Sequence, residues 1–210
     1  MSKTSHSLTN SIIVLISVAL AVFQIYTAAT IPLTALEQRS VHLGIVIALV
    51  FLYDSLHRGS YINRAVDYLL AFLSVAGNLY IFLNWHQVTM RSTALTRADT
   101  VFSLLLVGLV LVSTYLMIGK WMPLISVAFL LYACLGPWMP GVFRFRGISL
   151  NRALSSICLG SEGIFGSCTG VSATFVFMFL LFGEFLLQYG AGDFIITVAE
   201  TAFGRFRGAS

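Results

Sequence analysis

Four histidines and three cysteines are the side chains of this sequence best suited to hold a metal or attack a substrate. His6, His42, His57 and His86 lie far apart, in the tail or at the ends of apolar runs. No two of them stand at His-x-x-x-His spacing, so a zinc site on one helix face has no support. Cys134, Cys158 and Cys168 are odd in number and lack metal-ligand spacing, which reads as three small buried hydrophobes. No Gly-x-Ser-x-Gly elbow is present, and "GSEGIFG" lacks the Lys-Ser/Thr of a phosphate loop. No enzyme activity, cofactor or metal site is expected. What remains is a pair of carboxylates, Glu162 and Glu184, set in the glycine-rich apolar stretch "GSEGIFGSCTGVSATFVFMFLLFGEFLLQYGAGDF".

The elements that carry them must live in a bilayer. With 58% hydrophobic and only 10% charged residues, and a mean hydropathy of +0.92, the chain has too little polar surface to cover a soluble globule. A hydrocarbon core of roughly 30 Å takes about 20 apolar residues per helix. Six runs qualify: 11–27, 41–56 (extended backwards through "LTALEQRS"), 65–85, 101–119, 121–136 and 171–189. Helices are expected because hydrocarbon forces the backbone to bond to itself, and the strict alternation of a barrel strand is absent. The expected fold is therefore all-α, a polytopic membrane protein with amphipathic surface helices. The first run follows a single basic residue, Lys3, and is read as a span and not as a cleaved signal.

Charge does not orient the chain. With the N-terminus inside, Lys3, Arg58, Arg64, Lys120, Arg205 and Arg207 fall on the inner face, and Arg39, Arg91, Arg97, Arg144, Arg146 and Arg152 on the outer. The net charge of +4 is scattered over separate loops, which argues against a nucleic-acid partner.

Short polar loops join the first four runs, so residues 1–119 read as a compact four-helix membrane domain, and 120–210 as the start of a second portion. There "SLNRALSSICLG" predicts a surface helix over 149–159 capped by Ser149. After Gly190 and Gly192, apolar residues at helical spacing predict an amphipathic arm over 193–207.

Polar positions inside the runs have two readings. Glu184 lies about fourteen residues into its run, deep enough to be functional by default, yet close enough to the end to snorkel, with Gln188 one turn on. Gly163, Gly166 and Gly170 permit a bend that returns the chain to the membrane, and Gly166 and Gly170 form a small-x-x-x-small pair suited to packing. Ser172, Thr174, Gln24, Ser74, Asn78 and Ser103 are expected to hydrogen-bond across helices.

Three stretches carry a family resemblance: "FQIYTAATIPLTALEQRSVHLGIVIALVFL", "YACLGPWMPGVFRFRGISLNRALS" and "SEGIFGSCTGVSATFVFMFLLFGEFLLQYGAGDFIITVAETAFGRFRG". Over nearly its whole length the chain resembles the N-terminal part of the fused small-plus-large-subunit permease of tripartite ATP-independent periplasmic (TRAP) transporters of the TAXI type. The resemblance implies a scaffold in the bacterial inner membrane, partnered by a periplasmic TAXI-type binding protein and by the rest of the large-subunit transport domain. It also implies sodium-driven uptake of small organic anions. The sodium and substrate sites are expected in re-entrant hairpins outside these residues, so transport by this chain unaided is not expected. A second class stays open, a non-transporting membrane protein that serves assembly or interaction.

Overall fold

The structure, a computed structural model, describes residues 2–30, 33–58, 60–90, 96–160 and 163–203, and every element among them is helical. Five long helices come first: α1 (Ser2–Thr30), α2 (Ala35–His57), α3 (Tyr61–Met90), α4 (Arg97–Ile118) and α5 (Trp121–Leu135). After two short 3₁₀ turns come α6 (Leu150–Leu154), continued as a π turn over Ser155–Leu159, then α7 (Ser167–Val171), α8 (Phe177–Gln188) and α9 (Ala191–Phe203). A second π turn, Ser172–Val176, fuses α7 and α8 into one rod. Among the described residues six helices are long and apolar enough to cross a membrane: Ser7–Thr30, Ala35–His57, Tyr61–Gln87, Arg97–Ile118, Trp121–Trp138 and Ser167–Gln188. The chain is an all-α polytopic membrane protein.

Local chemistry explains where the spans begin. The Thr34 hydroxyl accepts from the Glu37 amide at 3.5 Å, and the Glu37 carboxylate accepts from the Thr34 amide at 2.7 Å. This capping box satisfies two amides that α2 would otherwise leave unbonded and draws "TALE" into the helix. Thr96 and Asp99 repeat the device on α4. There Asp99 also accepts from the Tyr80 hydroxyl at 2.7 Å, so one carboxylate both starts α4 and ties it to α3. Gly119 (φ 101°) ends α4, and Gly190 (φ 76°) turns the chain from the sixth span into α9, both at backbone angles that favour glycine.

The core is assembled around α2, which runs alongside α3 and also meets α1, α4 and the sixth span. Ile47, Ala48, Phe51 and Leu52 of α2 are buried with Ala71 of α3 and Leu109 of α4. Gly44 lets α3 come close: a Cβ there would stand 2.7 Å from the Cβ of Asn78, and its carbonyl accepts from the Ser74 hydroxyl at 3.0 Å. The outer faces of α1, α5 and α8 stay strongly apolar and exposed, as lipid-facing surface should be.

Expectation and structure part at the surface segment. Ser149 does hold the N-cap position of α6, but its side chain makes no capping bond. The apolar face of 149–159 is covered by protein where lipid was expected: Ala153, Leu154 and Cys158 are buried, α6 packs on α4 and α5, and the π turn packs on α4. Cys158 Sγ donates to the Ser103 carbonyl, 3.4 Å away in the second turn of α4, and shares a cluster with Ile81, Leu106 and Phe165. The cysteines divide accordingly. Cys158 is buried as expected, Cys134 is half-buried, and Cys168 is exposed, because it faces outward in the first turn of the sixth span.

Burial pushes the Cys158 thiol up to about 12. At pH 8 the thiol is therefore neutral as well as inaccessible, and maleimide is expected to leave it unmodified in the folded protein while labelling it after denaturation in SDS. Peptide mass spectrometry reads the difference; rapid labelling of Cys158 in the native state would contradict the packed α6.

Helix α9 covers 193–203 of the arm expected over 193–207, and its Phe194, Ile195 and Val198, on one side, are exposed. Residues 204–207, and Glu162, lie outside the described residues.

Candidate functional site: the polar seam between the first two helices and the sixth span

Consecutive spans alternate in direction, so α2 and the sixth span start at the same membrane face. Their first turns meet. Arg39, in the second turn of α2, sends Nη1 to the Phe165 carbonyl at 2.7 Å, across 126 residues of sequence. The contact requires Gly170: a Cβ there would fall 2.7 Å from both Nε and Nη2 of Arg39. Gly170, one member of the small-x-x-x-small pair, thus packs against a guanidinium. Thr174 sits one turn further and bonds back to the Gly170 carbonyl at 2.8 Å.

From Gln38, beside Arg39, inward to His42 the seam becomes a directed chain of hydrogen bonds. Gln38 Nε2 donates to Gln24 Oε1 at 3.3 Å and to the Thr27 hydroxyl at 3.2 Å. The Gln24 Nε2 then lies 2.7 Å from His42 Nδ1, and His42 Nε2 lies 3.4 Å from the Ser172 hydroxyl. Since the amide nitrogen can only donate, Nδ1 accepts, and the ring proton sits on Nε2, from which it donates to Ser172. The Phe177 ring meets the imidazole edge to face, with centroids 6.0 Å apart. Gln24 and His42 are buried, and each satisfies a group that hydrocarbon would leave unbonded. Three helices are thereby held in register by neutral side chains.

The residues singled out from sequence fall into three places. Gly170 and Ser172, on the sixth span, meet α2 at Arg39 and His42, while Thr174 bonds back to the Gly170 carbonyl. Gly163 and Gly166 form the turn before the sixth span, where the Gly166 amide bonds the Gly163 carbonyl at 2.8 Å and the Ile164 amide bonds the Ile157 carbonyl at 2.7 Å. Glu184 is far from both, roughly 20 Å along the helix from Gly170. It is exposed and accepts from Gln188 Nε2 at 3.3 Å. Four residues, about 6 Å, separate it from the end of the span, which suits a carboxylate reaching for the interface.

Of the other polar residues in spans, Ser74 bonds across to α2. Asn78 bonds the Ser74 carbonyl of its own helix, and Ser103 Oγ has no partner among the described residues.

Sequence reasoning extended the second span back through "LTALEQRS", which takes in Arg39, and set His42 at the end of an apolar run, but named neither as a seam residue. The signal was present: once Thr34 and Glu37 are read as a capping box, Arg39 must lie inside α2 and His42 one turn further in. A second charged cluster was missed at the opposite face, where Arg58 Nε lies 2.6 Å from Asp54 and 3.4 Å from the buried Asp67. Among the described residues no three His, Cys, Asp or Glu side chains group as metal ligands. Set against family models, curated proteins and solved structures, the chain matches none of them.

Proposed function

We propose that this chain is the scaffold portion of a TRAP-type permease in the bacterial inner membrane, working with a TAXI-type periplasmic binding protein in sodium-driven uptake of small organic anions. On this reading it does no covalent chemistry, and the sodium and substrate sites belong to the hairpin domain that moves against it. The observation that carries the reading is the long resemblance of 161–208 to the large-subunit start, following four helices that resemble the small subunit. The polar seam supports it, since a static framework made from two fused portions needs a fixed joint, and Gln24, His42, Ser172 and the Arg39–Phe165 bond supply one.

The test is a chimera in which this chain replaces the corresponding N-terminal portion of a working fused TAXI-type permease. Sodium-dependent uptake of the permease's substrate is expected to survive at a measurable fraction of the parent rate. A chimera that elutes as a single species in detergent, reaches the membrane and takes up nothing would overturn the reading in favour of a non-transporting assembly role. So would sodium-driven uptake by this chain alone in liposomes.

A further inference from the structure

The Arg39 end of the seam opens to the outside. A cleft of about 250 Å³ lies between α2 and the start of the sixth span, and Gln38, Arg39, Ser167, Gly170, Thr174 and Phe175 face it. Arg39 is half-buried there, and no carboxylate among the described residues stands within ion-pairing distance of it. Its Nη1 is committed to the Phe165 carbonyl, a neutral acceptor that brings no counter-charge of its own. A cation partly withdrawn from water in a membrane protein is costly unless an anion meets it. The sixth span begins on the backbone of Gly166 without a side-chain cap, so its first amides add positive potential at the same rim.

Depth and lining identify the anion. Arg39 is four residues, about 6 Å, inside the start of α2, and Ser167 opens the sixth span, so the cleft lies at headgroup level. Running inward from it, Val171 and Phe175 are 47% and 76% exposed, an apolar track leading from the cation toward the middle of the bilayer. A small hydrophilic anion would have no use for that track. We propose that the cleft binds one anionic phospholipid, its phosphate held by Arg39 with Gln38 and Ser167 beside it, and an acyl chain lying along Val171 and Phe175. The lipid would then complete the joint between α2 and the sixth span.

The probe is the whole chain purified in a neutral maltoside detergent and mixed with phosphatidylglycerol or phosphatidylcholine, with retained lipid counted by native mass spectrometry. One phosphatidylglycerol is expected to be retained in preference to phosphatidylcholine. Arg39→Gln is expected to weaken retention about tenfold, in line with the loss of one charge-assisted contact. Arg146→Gln, in an exposed loop, is expected to change nothing. Should Arg39→Gln fail to fold, Gly170→Ala, whose new Cβ must displace the guanidinium, is expected to reduce retention in a chain that keeps its charge. Equal retention of the two lipids, or undiminished retention by the Arg39 or Gly170 variant, would overturn the proposal. Displacement of phosphatidylglycerol by millimolar inorganic phosphate would overturn it as well, by assigning the cleft to a soluble oxyanion.

Discussion

Arg58→Ala is expected to destabilise the folded protein by about 3 kcal/mol, because it strands the carboxylate of Asp67 in a buried position without its cation. Asp67 is 1% exposed and lies one and a half turns into α3, while Arg58 reaches it from the C-cap of α2. Its Oδ2 stands 3.4 Å from Arg58 Nε and accepts no hydrogen bond among the described residues, so the contact with Arg58 is one of charge alone. Arg58 is tied down from two other sides: Nε meets Asp54 at 2.6 Å, and its carbonyl accepts from Arg64 Nε at 2.8 Å. The guanidinium is partly open to solvent, so its own removal costs little; the penalty arises at Asp67. Asp67→Asn, which removes the charge and keeps the shape, is therefore expected to be much milder. Adding Asp67→Asn to Arg58→Ala should recover much of the loss. Unfolding in detergent followed by tryptophan fluorescence measures all three variants. A double variant as unstable as the sum of the singles would mean that the two residues do not interact.

The same pair shows why some of this architecture can be read from sequence and some cannot. Six spans are legible because each is a long apolar window, and hydrocarbon allows such a window only one backbone solution. Their starts are legible where a capping box is written in the chain, as at Thr34 with Glu37 and Thr96 with Asp99. A charged residue near the end of a window is ambiguous, since the same letters describe a loop cation and a helix cation. Arg39 and Arg58 fall in that zone; the capping box settles Arg39 as a helix residue, but only tertiary contacts pair it with Phe165 and pair Arg58 with Asp67.

The candidate positions divide along the same line. Gly170, Ser172 and Thr174 were recognisable as residues that allow close packing or cross-helix bonding, and Gly170 and Ser172 do so. Their partners could not be named, because periodicity gives the face of a helix and says nothing of what covers it. The segment 149–159 makes the point most clearly. Ala153, Leu154 and Cys158 mark an apolar face in the sequence, yet nothing local distinguishes a face destined for lipid from one destined for α4. The π turns at Ser155–Leu159 and Ser172–Val176 are illegible for another reason, since hydropathy does not register a change from i→i+4 to i→i+5 bonding.

Gly163→Ala is the second large effect, expected to cost about 2 kcal/mol or more and to loosen the junction between α6 and the sixth span. A Cβ at this position would fall 2.0 Å from the Ile157 carbonyl oxygen and 2.5 Å from the Ile157 Cα. Those are backbone atoms, so no side-chain rotation relieves the clash; the turn itself must move. The bonds it would disturb are the Ile164 amide to the Ile157 carbonyl and the Gly166 amide to the Gly163 carbonyl. Phe165, fully buried between them, presents the carbonyl that Arg39 holds, so the strain reaches the seam. Gly183→Ala serves as the comparison, because a Cβ there meets nothing within 4 Å and glycine-to-alanine in a helix is favourable by several tenths of a kcal/mol. The expected result is a lowered thermal midpoint and native maleimide labelling of Cys158 in Gly163→Ala, with neither change in Gly183→Ala. A Gly163→Ala protein with an unshifted midpoint and an unreactive Cys158 would show that the close approach of the turn to Ile157 is not needed to hold α6 against α4.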